Sequence, residues 1–401
     1  MNFIIIGKKL LRFAFLIGCR ILCFPVFVVV LLTGSGRRVR VGYFTADRVG
    51  HFIFDFFWYQ DRVENRKNYF DVFFFEGPVS NKAFEKIARR KVRIWNISRH
   101  VAFWLMQFKS TTRRHILFPA RHSRHSRDPD GELRADRCRE NLFVESEDLR
   151  AQAFLEKYSI ERMDKFVCFV VRDAGYLEHF LGRGASHWDY HSYRNSSVRD
   201  FEFGAKALAD RGYFVFRVGR HAQELMSPGL DRVIDLADDK ELDDLIDIWL
   251  LSHCAFVVTT GTGIDTMALC TGRPMVFVNA LPLMHVWSWH HTMTFPKPLT
   301  WTASGLELSF DEYVQNTLQT AHYYTDAGIR IGSLSPKQIK DAVVEFDDRL
   351  NGKWNETPTE MRLQRMAWEK VLANSDSVLS HSYIHPKARF ASEFLQSLKV
   401  Q

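Results

Sequence analysis

The sequence lacks the paired cysteines that mark zinc sites, redox centres and disulfide-bonded secreted domains. It has six scattered cysteines, namely Cys19, Cys23, Cys138, Cys168, Cys254 and Cys270. None of them forms a Cys-x-x-Cys pair, and three lie inside apolar runs. We therefore expect reduced and mostly buried thiols, a cytosolic compartment and no zinc site.

Common signatures of nucleotide and nucleic-acid binding are also missing. The sequence has no Gly-Lys-Ser/Thr of a P-loop and no Gly-x-Gly-x-x-Gly turn. The basic, histidine-rich segment 109–139 lacks the regular aromatic interleaving typical of nucleic-acid binding. It is expected to be a solvated loop, or alternatively a mobile basic loop near an anionic substrate. The net charge of +7 is compatible with anionic small substrates, an anionic membrane surface or nucleic acid. Because the signatures of nucleic-acid binding are missing, we expect one of the first two and no nucleic acid.

The first 36 residues lack a long uncharged run. They are apolar but interrupted by four basic residues, Lys8, Lys9, Arg12 and Arg20. The longest uncharged run, 21–36, holds Pro25 and is short for a helix that spans a bilayer. A signal peptide and a buried N-terminal helix are alternatives. We favour a membrane-associated segment, peripheral or monotopic, with residues 1–33 at anionic headgroups and the basic residues 37–40 on the cytoplasmic side.

The rest of the chain alternates short apolar strands with helices, the pattern of parallel α/β domains. The apolar runs predict strands at 39–44, 71–75, 92–97, 166–171, 213–218, 233–236, 255–258 and 275–278. Helical spacing predicts helices at 52–59, 146–158 (with Ser146 as N-cap), 198–211, 242–252, 265–270, 337–350 and 360–372. This order divides the chain into one Rossmann-like domain at 37–160, a second at 161–335 and C-terminal helices at 336–401.

The stretch 255–282 is the most informative part of the sequence. It predicts a strand, a turn of small residues (Thr260, Gly261, Thr262, Gly263, Ile264), a helix and a second strand. Free backbone N–H groups at such a turn suit a phosphate, although an ordinary tight turn is the alternative. Arg172 with Asp173 and Gly219 with Arg220 also follow predicted strands, so all three groups are expected at one edge of the sheet.

Several motifs of this sequence resemble those of one protein family. They are Arg48-Val49-Gly50-His51, the segment 166–177 with Arg172-Asp173, the loop 189–195 with Asp189-Tyr190 and Arg194-Asn195, and the turn 261–264. They resemble a family of GT-B-type glycosyltransferases from bacterial surface-polysaccharide gene clusters. In the turn, Gly or Thr stands where that family usually has Ser, a mild departure. The likeness covers about 37–395, with the basic insert 109–139 as its poorest match.

The resemblance implies a fold and a reaction. It implies two Rossmann-like domains facing a crevice, the first for an acceptor and the second for a nucleotide-sugar donor. A sugar would pass to a surface glycan or glycolipid at the cytoplasmic face of the membrane. No cofactor and no metal ion are expected, because protein cations neutralise the leaving nucleotide phosphate in such enzymes. The alternatives are a nucleotide-sugar epimerase and a non-catalytic nucleotide-sugar-binding scaffold.

Roles follow from the same resemblance. His51 is the expected base, with Asp47 as the alternative, because glycosyl transfer with inversion requires removal of a proton from the acceptor hydroxyl. The expected donor-binding residues are Arg172, Asp173, Arg217, Gly219, Arg220, Thr260, Gly261, Thr262, Gly263 and Ile264. The expected substrate-binding residues are Arg48, Gly50, Asp189, Tyr190, Arg194 and Asn195. The His- and Trp-rich stretch 285–291 suggests aromatic packing or a stacking surface more than a metal site.

Overall fold

A computed structural model describes most of the chain. The described residues are 2–32, 38–61, 68–117, 142–173, 175, 189–220, 222–237, 239, 242–283, 286–316, 318, 320–374 and 384–397. They form two compact units, Met1–Ser126 and Arg127–Gln401. Each unit contains a parallel sheet with helices, so the predicted α/β class is confirmed. The predicted crevice between two domains stays a prediction.

Unit 1 is built on a three-stranded parallel sheet of order β2-β1-β3. Its strands are β1 (Arg38–Thr45), β2 (Tyr69–Glu76) and β3 (Ile116–Leu117). Its described helices are α1 (Asn2–Leu32), α2 (Val49–Asp61), α3 (Lys82–Lys91), α4 (Ser98–Leu105) and α5 (Lys109–His115). Phenylalanines fill the space between sheet and helices. Phe44 stacks on Phe73 at 4.6 Å, and Phe52 and Phe56 meet Phe84 edge-on.

Helix α1 is partly embedded in unit 1. Cys23, Phe27 and Val30, spaced at i, i+4 and i+7, form a buried stripe that packs with Val101 and Leu105 of α4. The helix continues through Arg20 and Pro25. It is therefore longer than the uncharged run 21–36 suggested. The segment Phe13–Leu32, with mean hydropathy 2.7 and 17% buried, is long and apolar enough to cross a membrane. A core helix or a signal sequence satisfies the same criterion.

Unit 2 is built on a seven-stranded parallel sheet of order β12-β9-β8-β7-β4-β5-β6. The strands are β4 (Phe166–Val170), β5 (Phe214–Arg217), β6 (Val233–Asp235), β7 (Val257–Thr259), β8 (Met275–Ala280), β9 (Thr292–Pro296) and β12 (Arg389–Phe390), with a separate antiparallel pair, β10 (Leu299–Trp301) and β11 (Ile329–Ile331). The chain builds outward from β4 to β6, then returns to β7 on the other side of β4. This is the strand order of a Rossmann fold, whose topological switch point lies between β4 and β7.

The described helices of unit 2 cover both faces of this sheet and continue into the C-terminal part. They are α6 (Glu145–Glu156), α7 (Glu202–Ala209), α8 (Asp244–His253), α9 (Thr266–Cys270), α10 (Phe310–Gln315), α11 (Ala321–Asp326), α12 (Pro336–Leu350), α13 (Pro358–Ala373) and α14 (Ser392–Ser397). Helix α6, expected in the first domain, packs on unit 2, where the Trp249 indole donates to Asp148 at 2.8 Å. The predicted domain ranges otherwise stay a prediction.

Three local expectations are wrong. The predicted strand 92–97 is reduced to a single bridge between Ile94 and Phe73, because the chain turns at once into α4. Helix α6 begins at Glu145, and Ser146 is not its N-cap. Val144 holds that position, and its N–H donates to the Glu147 carboxylate at 3.1 Å. The start of the basic insert, expected as loop, is helix α5, while 118–139 lies outside the described residues.

Candidate functional site

The candidate donor site lies at the carboxyl edge of the unit 2 sheet, where β4 and β7 part. The Thr260 N–H donates to the Val170 carbonyl at 3.2 Å, and the Thr260 hydroxyl accepts from the Arg172 N–H at 2.9 Å. These bonds hold the segments that follow the two strands side by side. The predicted convergence of Arg172 with the turn at 260–264 is therefore present, at the position where Rossmann folds bind ligands.

Two cations at this edge are held by neutral oxygen atoms. The Arg194 guanidinium donates to the Gly261 carbonyl at 2.5 Å. Lys297 follows β9, is only 4% exposed, and donates from Nζ to the Asn195 carbonyl at 2.7 Å. Within the described part of the chain, neither side chain forms an ion pair. No carboxylate therefore contacts either cation directly, although Asp265 acts on Arg194 and Asp200 on Lys297 beyond ion-pair distance, and both can donate to an anion.

Asn195 links three cations of the site. Its side-chain oxygen accepts from Arg172 Nε at 3.3 Å, and its carbonyl accepts from Lys297. The Arg172 carbonyl accepts in turn from the Ser196 N–H at 3.0 Å. Arg194 precedes Asn195 directly. The loop around Asn195 therefore brings Arg172, Arg194 and Lys297 to one place.

Lys297 stays cationic at neutral pH despite its burial. Burial lowers the pKa of its ammonium group to about 8, with Asp200 opposing the shift. A buried cation interacts more strongly with a bound anion than an exposed cation does, because the effective dielectric constant around it is lower. Lys297 was not among the residues predicted for the site, although it directly follows β9, a strand of the same sheet. No strand was predicted at 292–296, so no predicted strand end pointed to Lys297.

The other two predicted cations are balanced by carboxylates. Arg217 is 2% exposed and lies 3.2 Å from Asp235 and 3.7 Å from Asp173. Arg220 lies 3.0 Å from Asp247 and 3.2 Å from Asp244. Burial raises the pKa of Asp247 to about 6, against the effect of Arg220. These pairs connect neighbouring segments of the edge.

Asp173 and Gly219 shape the backbone beside this group. The two carboxylate oxygens of Asp173 accept from the N–H groups of Gly175 and Gln223, each at 2.9 Å. Gly219 follows β5 with φ of +137°, a conformation that only glycine adopts readily. A Cβ there would meet no atom within 4 Å, so backbone conformation and not space favours glycine.

The turn after β7 satisfies part of its own backbone. The Gly261 N–H donates to the Thr259 hydroxyl at 2.9 Å, and the Thr262 N–H donates to the Asp265 carboxylate at 2.7 Å. The same carboxylate oxygen accepts from the Thr259 hydroxyl at 2.8 Å. The expectation of free N–H groups is therefore wrong for Gly261 and Thr262. Asp265 occupies the position expected for an anion.

Asp265 is buried, and burial raises the pKa of its carboxyl group to about 6. Gly261 has φ of +80°, and a Cβ on it would lie 3.5 Å from the Arg194 guanidinium. Four buried polar atoms of this region have no hydrogen-bond partner among the described residues: Arg194 Nε, Thr262 Oγ1, Asp265 Oδ1 and Thr266 Oγ1. Gly263 is exposed and Ile264 half-buried.

In unit 1, the predicted base candidates lie at the carboxyl edge of its sheet. Asp47 and Arg48 follow β1, and Arg48 is exposed. Helix α2 begins at Val49, which puts buried Gly50 and half-buried His51 in its first turn. Asp47 Oδ1 is buried and has no hydrogen-bond partner among the described residues. The roles of His51 and Asp47 stay predictions.

The loop that carries Arg194 and Asn195 is a 3-10 helix, Asp189–Arg194. The side chains of Asp189 and Tyr190 lie outside the described part of the chain. Tyr193 anchors the loop, since it is buried and its ring centre lies 5.8 Å from that of Tyr324. The structure thus supports the position of Arg194 and leaves the predicted role of Asp189 and Tyr190 open.

The His- and Trp-rich stretch packs as an aromatic cluster. Trp287 stacks on Trp289 at 6.0 Å, and Trp287 meets Phe277 edge-on. His290 is buried, with Nε2 2.7 Å from the Arg273 carbonyl, and burial lowers the pKa of its imidazole to about 4. Among the described residues, no group of three or more His, Cys, Asp or Glu side chains could hold a metal ion.

No protein-family model and no curated protein sequence matches this chain. Solved structures with a similar fold include a glycosyl transferase family 9 protein from Veillonella parvula, at 11% identity and TM-score 0.41, covering 65% of this chain and 87% of that one. The E. coli ADP-heptose LPS heptosyltransferase II has 16% identity, TM-score 0.34 and coverage of 59% and 84%. The iron-containing dodecameric heptosyltransferase TibC, solved with ADP-D-beta-D-heptose, has 11% identity, TM-score 0.39 and coverage of 79% and 77%. These TM-scores are all below 0.5, so the proposal below rests on the residues of this chain.

Proposed function

We propose that the chain is a metal-independent GT-B glycosyltransferase that moves a sugar from a nucleotide-sugar donor to a surface glycan or glycolipid. It would act at the cytoplasmic face of the membrane, held there peripherally or monotopically by the N-terminal segment. The observation that carries the donor site is the pair Arg194 and Lys297. Both cations are held by main-chain carbonyls at the carboxyl edge of the sheet, and neither forms a salt bridge among the described residues, although Asp265 acts on Arg194 and Asp200 on Lys297 beyond ion-pair distance.

The proposed chemistry assigns one task to each unit. In unit 2, Arg194, Lys297 and Arg172 bind the donor diphosphate and stabilise the negative charge that develops on the leaving nucleotide. In unit 1, His51 or Asp47 takes the proton of the acceptor hydroxyl. Arg217 and Arg220 support the site through their ion pairs rather than contacting phosphate, which revises the predicted donor set.

A thermal-shift screen tests the donor site. The purified full chain is heated with UDP, GDP, CMP, ADP and their sugar conjugates, with and without EDTA. Because a ligand that binds only the folded state stabilises it by about 2.7 kcal/mol at 100 times Kd, one nucleotide should raise Tm by several degrees. Arg194→Met should abolish this shift. Arg199→Met is the matched control, since Arg199 lies on the same segment but pairs with Glu202 and Glu224.

The outcomes separate the alternatives. Transfer of label from the sugar conjugate to a membrane extract supports a transferase. A free sugar isomer released without acceptor indicates an epimerase, and binding without turnover indicates a scaffold. If no nucleotide shifts Tm, or if Arg194→Met binds as the wild type does, the assigned donor site is wrong. A shift that EDTA removes contradicts metal independence.

A further inference from the structure

The second half of α1 packs against the rest of unit 1, so this part of the helix cannot be surrounded by lipid on all sides. Contact begins at Arg20, whose carbonyl accepts from the Trp104 indole at 2.8 Å and whose guanidinium lies 3.8 Å from the centre of the Phe103 ring. It continues through the stripe Cys23, Phe27 and Val30. Only 13–19 of the candidate span precede these contacts. Helix residues 2–12 ahead of this segment include Lys8, Lys9 and Arg12. The uncharged part before the contacts is therefore seven residues or about 10 Å long, whereas the hydrocarbon core is about 30 Å thick.

Basic side chains of α5 lie close to the C-terminal end of α4, whose Leu105 packs with α1. The hydroxyl of Thr112, in α5, donates to the Leu105 carbonyl at 3.1 Å, which joins α5 to the end of α4. Helix α5 carries exposed Lys109, Arg113 and Arg114. If α1 crossed the bilayer with its packing intact, these charges would be drawn toward the hydrocarbon, at a large cost in free energy.

Exposed apolar side chains lie on α1 and at the corner between α4 and α5. On α1 they are Leu11, Phe13, Phe15, Ile17, Ile21, Leu22, Phe24, Val26, Val28, Val29, Leu31 and Leu32. At the corner between α4 and α5, Met106 and Phe108 are also exposed, Phe108 by 57%. An apolar surface of this extent on a folded protein marks a contact with a partner or a membrane.

The charge of this region identifies the kind of partner. The sequence has no Asp or Glu in 1–46 or in 97–127, whereas Lys and Arg recur in both segments. An apolar surface edged by cations, with no acidic residues among them, fits the anionic headgroups and outer acyl region of a bilayer. A second copy of this surface would place like charges opposite each other, which disfavours a dimer.

We propose that unit 1 docks on an anionic bilayer through one composite surface, with α1 lying in the interface and not crossing it. This docking surface consists of the exposed face of α1 (11–32), Met106, Phe108 and the basic residues of α5. The inference rests on the membrane location proposed above and is independent of the reaction. It makes α1 a structural part of unit 1 rather than a removable anchor.

Vesicle flotation with the purified full chain tests the surface. Vesicles of phosphatidylcholine are compared with vesicles that also contain phosphatidylglycerol, at low and high salt and without nucleotide. Phe108→Glu should weaken binding to the anionic vesicles by about tenfold, because it places a charge where an apolar ring enters the interface. Phe203→Glu, at a side chain of unit 2 that is 60% exposed, is the matched control and should bind as the wild type does.

Two further measurements complete the test. Replacing Lys109, Arg113 and Arg114 by Gln should remove much of the salt-sensitive binding. An N-terminal epitope tag should be digested by protease from the same side of sealed vesicles as unit 1. Protection of the tag would show a spanning α1 and overturn the proposal, as would unchanged flotation of Phe108→Glu or a lipid-independent dimer through this surface. Nucleotide thermal shifts on the same variants report separately on the proposed reaction.

Discussion

At the residue scale, the partner of each cation separates candidates that look alike in the sequence. Arg194 and Arg217 both belong to segments at the carboxyl edge of the unit 2 sheet. Arg217 lies between two carboxylates, whereas Arg194 donates to a main-chain carbonyl and forms no ion pair among the described residues. Lys297 resembles Arg194 in this respect. An anionic ligand is therefore expected on the Arg194–Lys297 side of the edge.

Lys297→Met should weaken binding of the donor nucleoside diphosphate by about tenfold or more and leave binding of the parent nucleoside unchanged, because the lost ammonium would act on phosphate. In the wild type, diphosphate affinity should also fall as pH rises through about 8, where Lys297 loses its proton. Isothermal titration between pH 6.5 and 9 measures both effects.

The control for this substitution is Lys337→Met, at an exposed lysine of unit 2 that pairs with Asp341. It should bind nucleotide as the wild type does over the whole pH range. Equal losses for nucleoside and diphosphate in Lys297→Met, or a pH profile that survives that substitution, would show that Lys297 acts only on folding.

At the scale of elements, the structures of α1 and of the turn after β7 differ from what their sequences predicted. The basic residues of α1 suggested a short or interrupted apolar segment, yet the helix runs unbroken from Asn2 to Leu32, and α4 covers the stripe Cys23, Phe27 and Val30 in its second half. The turn at 260–264 has the small residues of an anion site, yet Asp265 already accepts one of its N–H groups. The contact of α1 with α4 is distant in sequence, whereas the contact of the turn with Asp265 is local, only three residues from Thr262.

The two faces of α1 should respond differently to the same substitution. Phe27→Asp places a charge in the core of unit 1, since Phe27 is 5% exposed, and should destabilise the unit by about 3 kcal/mol or more. Val29→Asp, at a side chain that is 60% exposed, should leave folding unchanged and weaken vesicle binding. Thermal unfolding in detergent and vesicle flotation measure the two effects. Equal stability of the two variants would contradict the embedded stripe.

At the scale of the whole molecule, the described residues form one parallel sheet in each unit, and the two units have separate hydrophobic cores. One core of unit 1 joins α1, β1 and α4, while the large core of unit 2 covers β4 to β9 and the C-terminal helices. The division at Ser126 differs from the boundary predicted near 160, because α6 packs on α8 in unit 2. A ligand held by residues of unit 2 alone should therefore stabilise that unit selectively.

Calorimetry should resolve two unfolding transitions in detergent, and the donor nucleotide should raise only one of them. Hydrogen exchange identifies the transition that moves. Amides in 166–173, 257–265 and 292–297 should gain protection with nucleotide, and those in 38–61 should not. A single transition, or protection that spreads equally over both units, would contradict independent units and a donor site confined to unit 2.

The sequence by itself determined the α/β class, most of the strands and the edge of the sheet at which the candidate site lies. These depend on local information: apolar runs set the strands, and parallel strands place Arg172 and the turn at 260–264 at one edge. Only the tertiary structure decided which charges are balanced. Ion pairs such as Arg217 with Asp235 and Arg220 with Asp247, and the bond from Lys297 to Asn195, join residues distant in sequence, and their geometry exists only once the sheet has formed.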